Sequence, residues 1–497
     1  MYILIQPFIQ AKADAEQDCQ ALNLLKPLLV SGTTATTLLP AIIPPPQLIG
    51  LIATLSVHPT LTTRAKALDR IQAANLSFQY LQLILKHVGP IRGSLEEAFT
   101  FVGCSTVARR SGGGRRTKTG DGASPSTDII EGINNELANA GSLWAQADNF
   151  WQVVGWGFNC SILHKRRWER WSAWLAYMIE VLQADWDARA QEDIEESLEK
   201  SLIAKYINSG MSAAGRDRKI VRSVFADGRV KSLAEFGEIW PKETKELKKD
   251  GDVKRAEAKI DIQADNYGDY MEEENDEDLE DSGSDSMSSS LDGNADSTES
   301  IPNTADDFGG MESVNLRLRL LSLLSKVSAN VPNEFTDILT LYDSYVEHIR
   351  SLPIPAFFLI VSPSNLRHFT PSAASTLTQS ILRSLIAASA LLPSCDDISQ
   401  ETLETFFLPF AANTTSIVDN TKVSLCVETL LRLVNTHAEF KWTPKLHEAA
   451  EIGIKARVTK AKKKQTKRGT DADGNCGGMW LTASAERIRM VVAMAEH

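Results

Sequence analysis

Tryptophan is concentrated in one stretch of this chain, and this constrains the fold more than any other feature. Seven of its ten tryptophans fall within the 43 residues from Trp144 to Trp186. The pattern predicts two helices joined by residues 164–167. On a helical wheel of about 100° per residue, Trp168 and Trp186 lie on one apolar stripe, whereas Trp174 lies about a quarter turn from the stripe's centre. We therefore predict a tryptophan core, with an aromatic binding surface as the alternative. Trp174 should either meet another element or be partly exposed, and its truncation should cost less than that of a stripe residue.

The first helix of this pair has a candidate start and two unfavourable residues. Ser142 is the candidate N-cap, because its hydroxyl can accept a hydrogen bond from a free N–H of the first turn. Gly155 and Gly157 each cost about 1 kcal/mol inside a helix. We therefore expect a neighbouring element to approach the helix backbone closely at these two positions.

Helical periodicity dominates the rest of the sequence, and no alternating run of β-branched residues bounded by hairpin turns occurs. The clearest apolar stripe lies within residues 63–87. The sequence therefore predicts an all-α protein. Helices with short polar or proline-containing joints are typical of stacked helical pairs, so we expect an irregular, helical-repeat-like (α-solenoid or HEAT-like) body interrupted by a disordered acidic segment. No fixed repeat period is found.

Changes in composition divide the chain into seven regions. Two of these regions, a basic Gly-rich loop and an acidic Ser-rich linker, contain too few apolar residues to form a hydrophobic core. The predicted regions are an N-terminal helical region (1–104), the basic loop (105–128), a Trp-rich helical region (129–249), the acidic linker (250–312), a C-terminal helical region (313–454), a basic tail or loop (455–478) and a terminal helix (479–497).

The net charge of −12 is distributed unevenly along the chain. Between Ile260 and Leu316 there are 18 acidic residues and no Lys or Arg, which leaves 46 acidic against 52 basic residues elsewhere. The sequence therefore predicts a mildly basic body that carries an acidic strap, the name used below for this stretch.

The acidic strap contains two aromatic residues that suggest binding. Tyr267 and Tyr270 lie among carboxylates, and this mixture is similar to segments of histone chaperones. That resemblance implies a basic partner such as a histone, with the rings as anchors; a plain flexible linker is the alternative. Ser282 and Ser289 each precede an acidic residue by three positions, which makes them phosphorylation candidates, and phosphate would add negative charge there.

The densest basic segment is residues 455–468. It resembles a nuclear import signal, in which Lys and Arg side chains meet the acidic grooves of an import receptor. A tail that contacts nucleic acid and a solvated helix end are the alternatives. The candidate import residues are Lys455, Arg457, Lys460, Lys462, Lys463, Lys464, Lys467 and Arg468.

A second candidate binding site lies where the two Trp-rich helices meet. Cationic and aromatic side chains near one another can hold phosphates or an acidic peptide, although solvated turn charges are the ordinary interpretation. The candidate residues are Lys165, Arg166, Arg167, Arg170 and Trp174.

Signatures of catalysis and of cofactor binding are missing from the sequence. It contains no Walker A loop, Rossmann glycine signature, G-x-S-x-G or H-E-x-x-H motif. The six cysteines and eight histidines show no metal-ligand spacing, and the scattered cysteines fit a reducing compartment. Pro40 and Pro44–Pro46 break the one long apolar stretch, so we expect no membrane span. We expect neither an enzyme nor a bound cofactor.

These observations favour a nuclear, non-enzymatic scaffold or adaptor that binds protein partners in a chromatin or genome-maintenance assembly. The import receptor and basic proteins such as histones are the expected partners. The alternative is a nucleic-acid-binding protein that uses basic helical patches, namely residues 165–170, the segment containing Arg216, Arg218, Lys219 and Arg222, and the segment 455–468.

Overall fold

The computed structural model describes most of the chain outside the acidic linker. The described residues are 18–34, 42–102, 133, 135–191, 197–209, 215–245, 308–386, 398–437, 440–465 and 472–495. Those up to Thr244 and from Phe308 onward belong to one compact unit. The predicted loop 105–128, most of the acidic strap and residues 466–471 of the basic tail lie outside the described residues.

Every regular element in the described part is a helix, which confirms the predicted all-α class; the one isolated bridge joins Ile386 to Ala412. Before the acidic linker the helices are α1 (Asp18–Thr34), α2 (Pro46–Val57), α3 (Leu68–His87), α4 (Leu95–Ala98), α5 (Leu143–Gln146), α6 (Phe150–Leu163), α7 (Lys165–Ala190), α8 (Leu202–Asn208), α9 (Arg216–Val224) and α10 (Val230–Glu235).

After the acidic linker the helices become longer on average, and they continue the same hydrophobic core. They are α11 (Gly310–Asn330), α12 (Ile338–Ser351), α13 (Ile354–Val361), α14 (Pro371–Leu385), α15 (Gln400–Phe406), α16 (Ile417–His437), α17 (Pro444–Gln465) and α18 (Ala472–Met494). Helix α16 packs against α18, α14, α17 and α13. Helix α11 contacts α7 and α9 of the preceding part, and α12 contacts α9.

Capping residues determine where the Trp-rich helices begin. The Ser142 hydroxyl accepts a hydrogen bond from Ala145 N, as predicted, but the helix that it caps is the short α5. The chain becomes extended at Ala147, and the Asn149 side chain then caps α6 by accepting from Gln152 N. The Trp-rich pair is therefore α6 and α7, and only His164 separates them, rather than the four residues expected from the sequence.

All seven clustered tryptophans are buried, so the predicted tryptophan core is confirmed. Of the two outcomes expected for Trp174, the structure shows the first, contact with another element, and its side chain is only 1% exposed. Its ring contacts Trp144 at a centroid distance of 6.3 Å and Trp171 at 5.7 Å. Helix α7 is covered on more than one side, since α2, α3, α6, α8 and α11 all pack against it. A residue off the main stripe is therefore still in the core.

The two glycines of α6 face close neighbours, as expected, although the neighbours are side chains rather than backbone. A Cβ atom on Gly155 would come within 2.3 Å of Phe236 Cγ, and one on Gly157 within 2.8 Å of a Leu175 methyl group. Glycine at position 155 therefore lets the segment that follows α10 lie directly on the helix.

A buried arginine joins the helices before the linker to those after it. Arg317 of α11 is fully buried, and its guanidinium donates hydrogen bonds to the carbonyl oxygens of Val224 and Ala226, at the end of α9. The same group lies 4.1 Å from the ring centroid of Phe158 and 4.2 Å from that of Phe308. Burial lowers the pKa of Arg317 to about 9, so the guanidinium is still charged at neutral pH.

The burial of Trp174 gives a stability prediction. We expect Trp171→Ala and Trp174→Ala each to lower the free energy of unfolding by about 3–5 kcal/mol, because each removes a large buried aromatic side chain and leaves a cavity. Denaturant melts measure this directly. Trp442, which is 36% exposed, is the matched control, and its truncation should cost about 1 kcal/mol or less. An effect at Trp174 as small as that at Trp442 would contradict the observed packing.

Candidate binding surfaces

A buried ion pair lies beneath the first turn of α7. Arg167 Nε donates to Glu243 Oε1, and both side chains are almost fully buried. The same carboxylate accepts from Trp171 Nε1 at 2.9 Å and from the backbone N–H groups of Ile239 and Trp240 at 3.2 and 3.3 Å. With four donors the charge of Glu243 is well compensated. The pair fixes the turn after α10 to the start of α7.

Arg167 is therefore not part of a binding surface, and this corrects the sequence-based assignment. Its side chain is 2% exposed, and its guanidinium lies beside the stacked rings of Trp171 and Trp240, 5.0 and 5.7 Å from their centroids. Its Nη1 also donates to Thr62 Oγ1 at 3.0 Å. Trp174 is likewise unavailable to a partner, because it is buried in the core.

The remaining cations of the candidate site lie on the surface above this pair. Lys165 and Arg166 are exposed in the first turn of α7, and Arg170 is half-buried, with its Nη1 2.7 Å from Asn75 Oδ1 of α3. The structure adds two cations that the sequence did not indicate, Arg64 and Lys242, because Arg64 Nη1 donates to the carbonyl oxygen of Lys242 at 3.2 Å. These two and the three cations of α7 come from three distant segments. We call the five residues the amino-end surface: Arg64, Lys165, Arg166, Arg170 and Lys242.

The electrostatics of the amino-end surface favour an anion. Helix α7 has 26 residues, no acidic residue in its first turn, and no side-chain hydrogen bond from its N-cap, His164. Its amino end carries the positive end of the helix dipole, where anions are stabilising and added cations are not. An anionic partner would therefore be favoured at this end of the helix.

Three buried polar atoms close to this surface have no hydrogen-bond partner among the described residues: Thr63 Oγ1, Arg64 Nε and Arg167 Nη2. Arg167 lies in the first turn of α7. Thr63 and Arg64 lie in the loop that the hydrogen bond from Arg167 to Thr62 holds against this turn. Unpaired buried donors cost free energy that a water or an anion can recover.

Two of the four basic residues predicted in α9 make intramolecular contacts. In α9, Arg216 donates to Asn208 and to the Glu334 carbonyl oxygen, and Arg222 pairs with Glu235 at 2.8 Å. The pair with Glu235 compensates the charge of Arg222, whereas Arg216 keeps its charge and is held by neutral acceptors.

Residues 455–465 form the last part of α17, within the region predicted as a basic tail or loop. Arg457 is fully buried and donates to the carbonyl oxygens of Leu408 and Phe410 at 3.1 and 2.9 Å, so the folded chain does not present it to an import receptor. Burial lowers the pKa of Arg457 to about 10. Lys460 is half-buried and donates to the Ala412 carbonyl oxygen.

Lys455 and Lys462 are exposed on α17 and remain available. The structure leaves the other sequence-predicted residues undescribed. Tyr267, Tyr270, Ser282, Ser289, Lys467 and Arg468 lie outside the described residues, as do the side chains of Lys463 and Lys464.

A second surface, which the sequence analysis missed, lies on α18. The inner face of this helix is buried against α16 and α17. On the outer face Met479, Met490 and Met494 are 72%, 62% and 68% exposed. At about 100° per residue they fall within about 60° of one another, with the exposed Ala483 between them. We call these four residues the methionine stripe. In the sequence, Met479 and Met490 are 11 residues apart, and Met490 and Met494 are 4 apart. This spacing could have identified the stripe.

No group of three or more His, Cys, Asp or Glu side chains that could hold a metal ion occurs in the part of the chain that the structure describes. No helix there is long and apolar enough to cross a membrane. Comparison with models of known protein families and with curated proteins gives no match to this chain. Function therefore has to be argued from the two surfaces themselves.

The ring of His58 gives a pH prediction for the region under the amino-end surface. The ring packs edge-on against Trp240 at 4.9 Å, and burial, with the nearby charges of Arg167 and Arg64, lowers its pKa from 6.5 to about 4. Between these two values the unfolded chain binds a proton that the folded chain does not. Stability should therefore fall as the pH drops from 6.5 towards 4, by about 2 kcal/mol at pH 5 from this group alone.

Urea unfolding at pH 7 and pH 5 tests this expectation. His58→Asn keeps a neutral polar group near Thr60 and removes the titration, so its loss of stability between the two pH values should be smaller than that of the unmodified chain by about 2 kcal/mol. Equal losses in both proteins would show that His58 does not titrate in this range.

Proposed function

We propose that this protein is a nuclear, non-enzymatic scaffold or adaptor that binds protein partners in a chromatin or genome-maintenance assembly. The methionine stripe on α18 is the observation that carries the proposal. Methionine side chains are flexible and polarisable, and they recur on surfaces that bind apolar helix faces. Three of them, aligned and more than half exposed, fit a partner that lays an apolar helix face along α18.

The packing of α18 makes this surface well suited to binding. Its inner residues Leu481, Ile488 and Val492 are buried at 4%, 0% and 2% exposure, so the helix is held firmly by the core. A rigid helix presents its outer face with little loss of entropy on binding. Polar groups flank the stripe, since Arg489 pairs with Glu486 and Glu451 at 2.7 Å, and a polar rim around an apolar centre is typical of protein interfaces.

Other parts of the chain also contribute to the proposed scaffold function. An irregular, solenoid-like stack of helices provides the body, and a disordered acidic strap, with Tyr267 and Tyr270 as anchors, provides a second contact for histones or other basic proteins. Phosphorylation at Ser282 and Ser289 would increase the negative charge of the strap. Lys455 and Lys462, together with the lysines that follow, supply the import signal.

Affinity purification from nuclease-treated nuclei tests the scaffold. We expect Met490→Glu combined with Met494→Glu to reduce capture of at least one partner by tenfold or more, because each carboxylate would have to be desolvated inside an apolar interface. The matched control is Val230→Glu with Leu339→Glu, two substitutions at residues that are 81% and 55% exposed on other helices. That control should capture the same proteins as the unmodified chain.

One outcome would overturn the scaffold proposal, namely an identical set of captured proteins, at equal yield, for the stripe variant and the control. Localisation tests the import signal separately. Replacing Lys462, Lys463 and Lys464 with Ala should move the tagged protein towards the cytoplasm, and a fully nuclear triple variant would exclude import through this segment.

Nucleic-acid binding is a second candidate function, and the amino-end surface favours it. Five cations from three segments lie together at the positive end of a long helix, a grouping that suits a phosphate backbone. On this alternative the surface contacts phosphates without reading sequence, and exposed Lys165 and Arg166 are its most accessible members.

Binding to a duplex DNA of mixed sequence, measured over a range of salt concentrations, tests this second candidate. Each phosphate contact contributes about −0.9 to the slope of log K against log salt, so Lys165→Glu with Arg166→Glu should make the slope shallower by about 2. Lys455→Glu with Lys462→Glu makes the same charge change on α17. An equal loss in both double variants would mean that only net charge matters and would exclude a dedicated surface.

A further inference from the structure

The methionine stripe of α18 has an internal symmetry. Its four members, Met479, Ala483, Met490 and Met494, are all exposed, and they are separated by 4, 7 and 4 residues. This spacing is the same when it is followed in either direction along the helix, and its midpoint lies between Glu486 and Arg487. A second α18 that runs antiparallel therefore presents the same pattern of positions to the first.

A two-fold axis through this midpoint brings each member of the stripe opposite another member. Met479 of one copy faces Met494 of the other, and Ala483 faces Met490, so each contact occurs twice. The small Ala483 side chain leaves room for the long, flexible Met490 side chain opposite it. At about 1.5 Å per residue, the stripe matches itself in register over about 22 Å of helix.

The charges beside the stripe also fit a second copy. Glu486 and Arg489 lie on one flank, where they pair at 2.7 Å within the chain. Two-fold symmetry puts this flank of both helices on one side of the contact. Glu486 of each copy then lies within about 3 Å, along the helix axis, of Arg489 of the other. The two arginines compensate the two carboxylates that meet there. On the other flank Arg487 is held by the buried Glu428 at 2.7 Å, so its charge is compensated within its own chain.

The size of the contact determines how stable the pair can be. One helix from each copy, in contact over about 22 Å, makes a small interface, and interfaces below about 1,200 Å² are typical of transient complexes. We therefore expect reversible association with a dissociation constant in the micromolar range.

We propose that the partner on the methionine stripe is a second copy of this chain, bound through an antiparallel, two-fold symmetric contact between the two α18 helices. The inference rests on the proposed function of the stripe as a protein-binding surface, and it names the occupant of that surface. The observation that carries it is the symmetric spacing of the four exposed residues.

Analytical ultracentrifugation of the full chain, from low to high micromolar concentration, tests the dimer. We expect the average mass to rise from that of the monomer towards that of the dimer. Ala483→Glu should weaken self-association tenfold or more, because the two-fold axis places both new carboxylates inside an apolar contact. Val230→Glu adds the same charge at an exposed position of α10 and should leave self-association unchanged.

A mixture of two variants tests the antiparallel register. In the proposed contact the carboxylate of Ala483→Glu on one copy faces the amine of Met490→Lys on the other. A fluorescently labelled Ala483→Glu chain should therefore bind Met490→Lys at least tenfold more tightly than it binds Met479→Lys, the matched control. Positions 483 and 479 of the two copies are about 16 Å apart along the axis of the antiparallel pair. In a parallel pair they would lie closer than positions 483 and 490, and the order of the two affinities would reverse.

The proposal is overturned if the chain stays monomeric over the whole concentration range, or if the two mixtures associate equally. A monomeric chain that still loses nuclear partners on Met490→Glu with Met494→Glu would show that a different protein occupies the stripe. The scaffold proposal would then stand without the dimer. A dimer that forms while this double variant captures every nuclear protein at full yield would give the opposite result.

Discussion

The ion pair between Arg167 and Glu243 is the contact on which the Trp-rich half of the protein depends. It places two opposite charges in the core, where removing one partner of such a pair typically costs about 3–5 kcal/mol because the other is left uncompensated. Glu243 accepts four hydrogen bonds, and the Arg167 guanidinium packs beside the stacked Trp171 and Trp240 rings. The pair therefore determines how the turn after α10, the start of α7 and the loop at Thr62 fit together. The amino-end surface exists because this arrangement brings its cations together.

Two further buried arginine side chains bind backbone carbonyl groups at helix ends in this fold. Arg317 binds the carbonyl oxygens that end α9, and Arg457 binds those that follow α15. Helix ends leave carbonyl groups without partners, and a guanidinium with five donors can satisfy several of them at once. In this all-helical protein, such contacts hold individual helix ends in place. The cost is desolvation, which is visible in the lowered pKa values of Arg317 and Arg457.

The sequence predicted the helices and the tryptophan core better than it predicted the candidate sites. Periodicity reports which face of a helix is apolar, so the stripe of α7 could be predicted. It does not report how many neighbours surround the helix, and for this reason the sequence left open whether Trp174 would be buried. Charge in a sequence likewise does not reveal burial. Arg167 and Arg457 look like solvated cations until the carboxylate or carbonyl groups that bind them, 76 and 47–49 residues away, are brought close by folding.

The separation of Arg167 and Glu243 along the chain imposes a delay during protein synthesis. At about 5–20 residues per second, the 76 residues between Arg167 and Glu243 take about 4–15 s to translate. From the completion of α7 at Ala190 until Phe236 is added, the nascent chain contains α6 and α7 but lacks the carboxylate that compensates Arg167 and the Phe236 ring that covers Gly155. The Trp-rich half can therefore reach its final packing only after residue 243 has emerged from the ribosome. Until then its most apolar helices and an uncompensated guanidinium are exposed together.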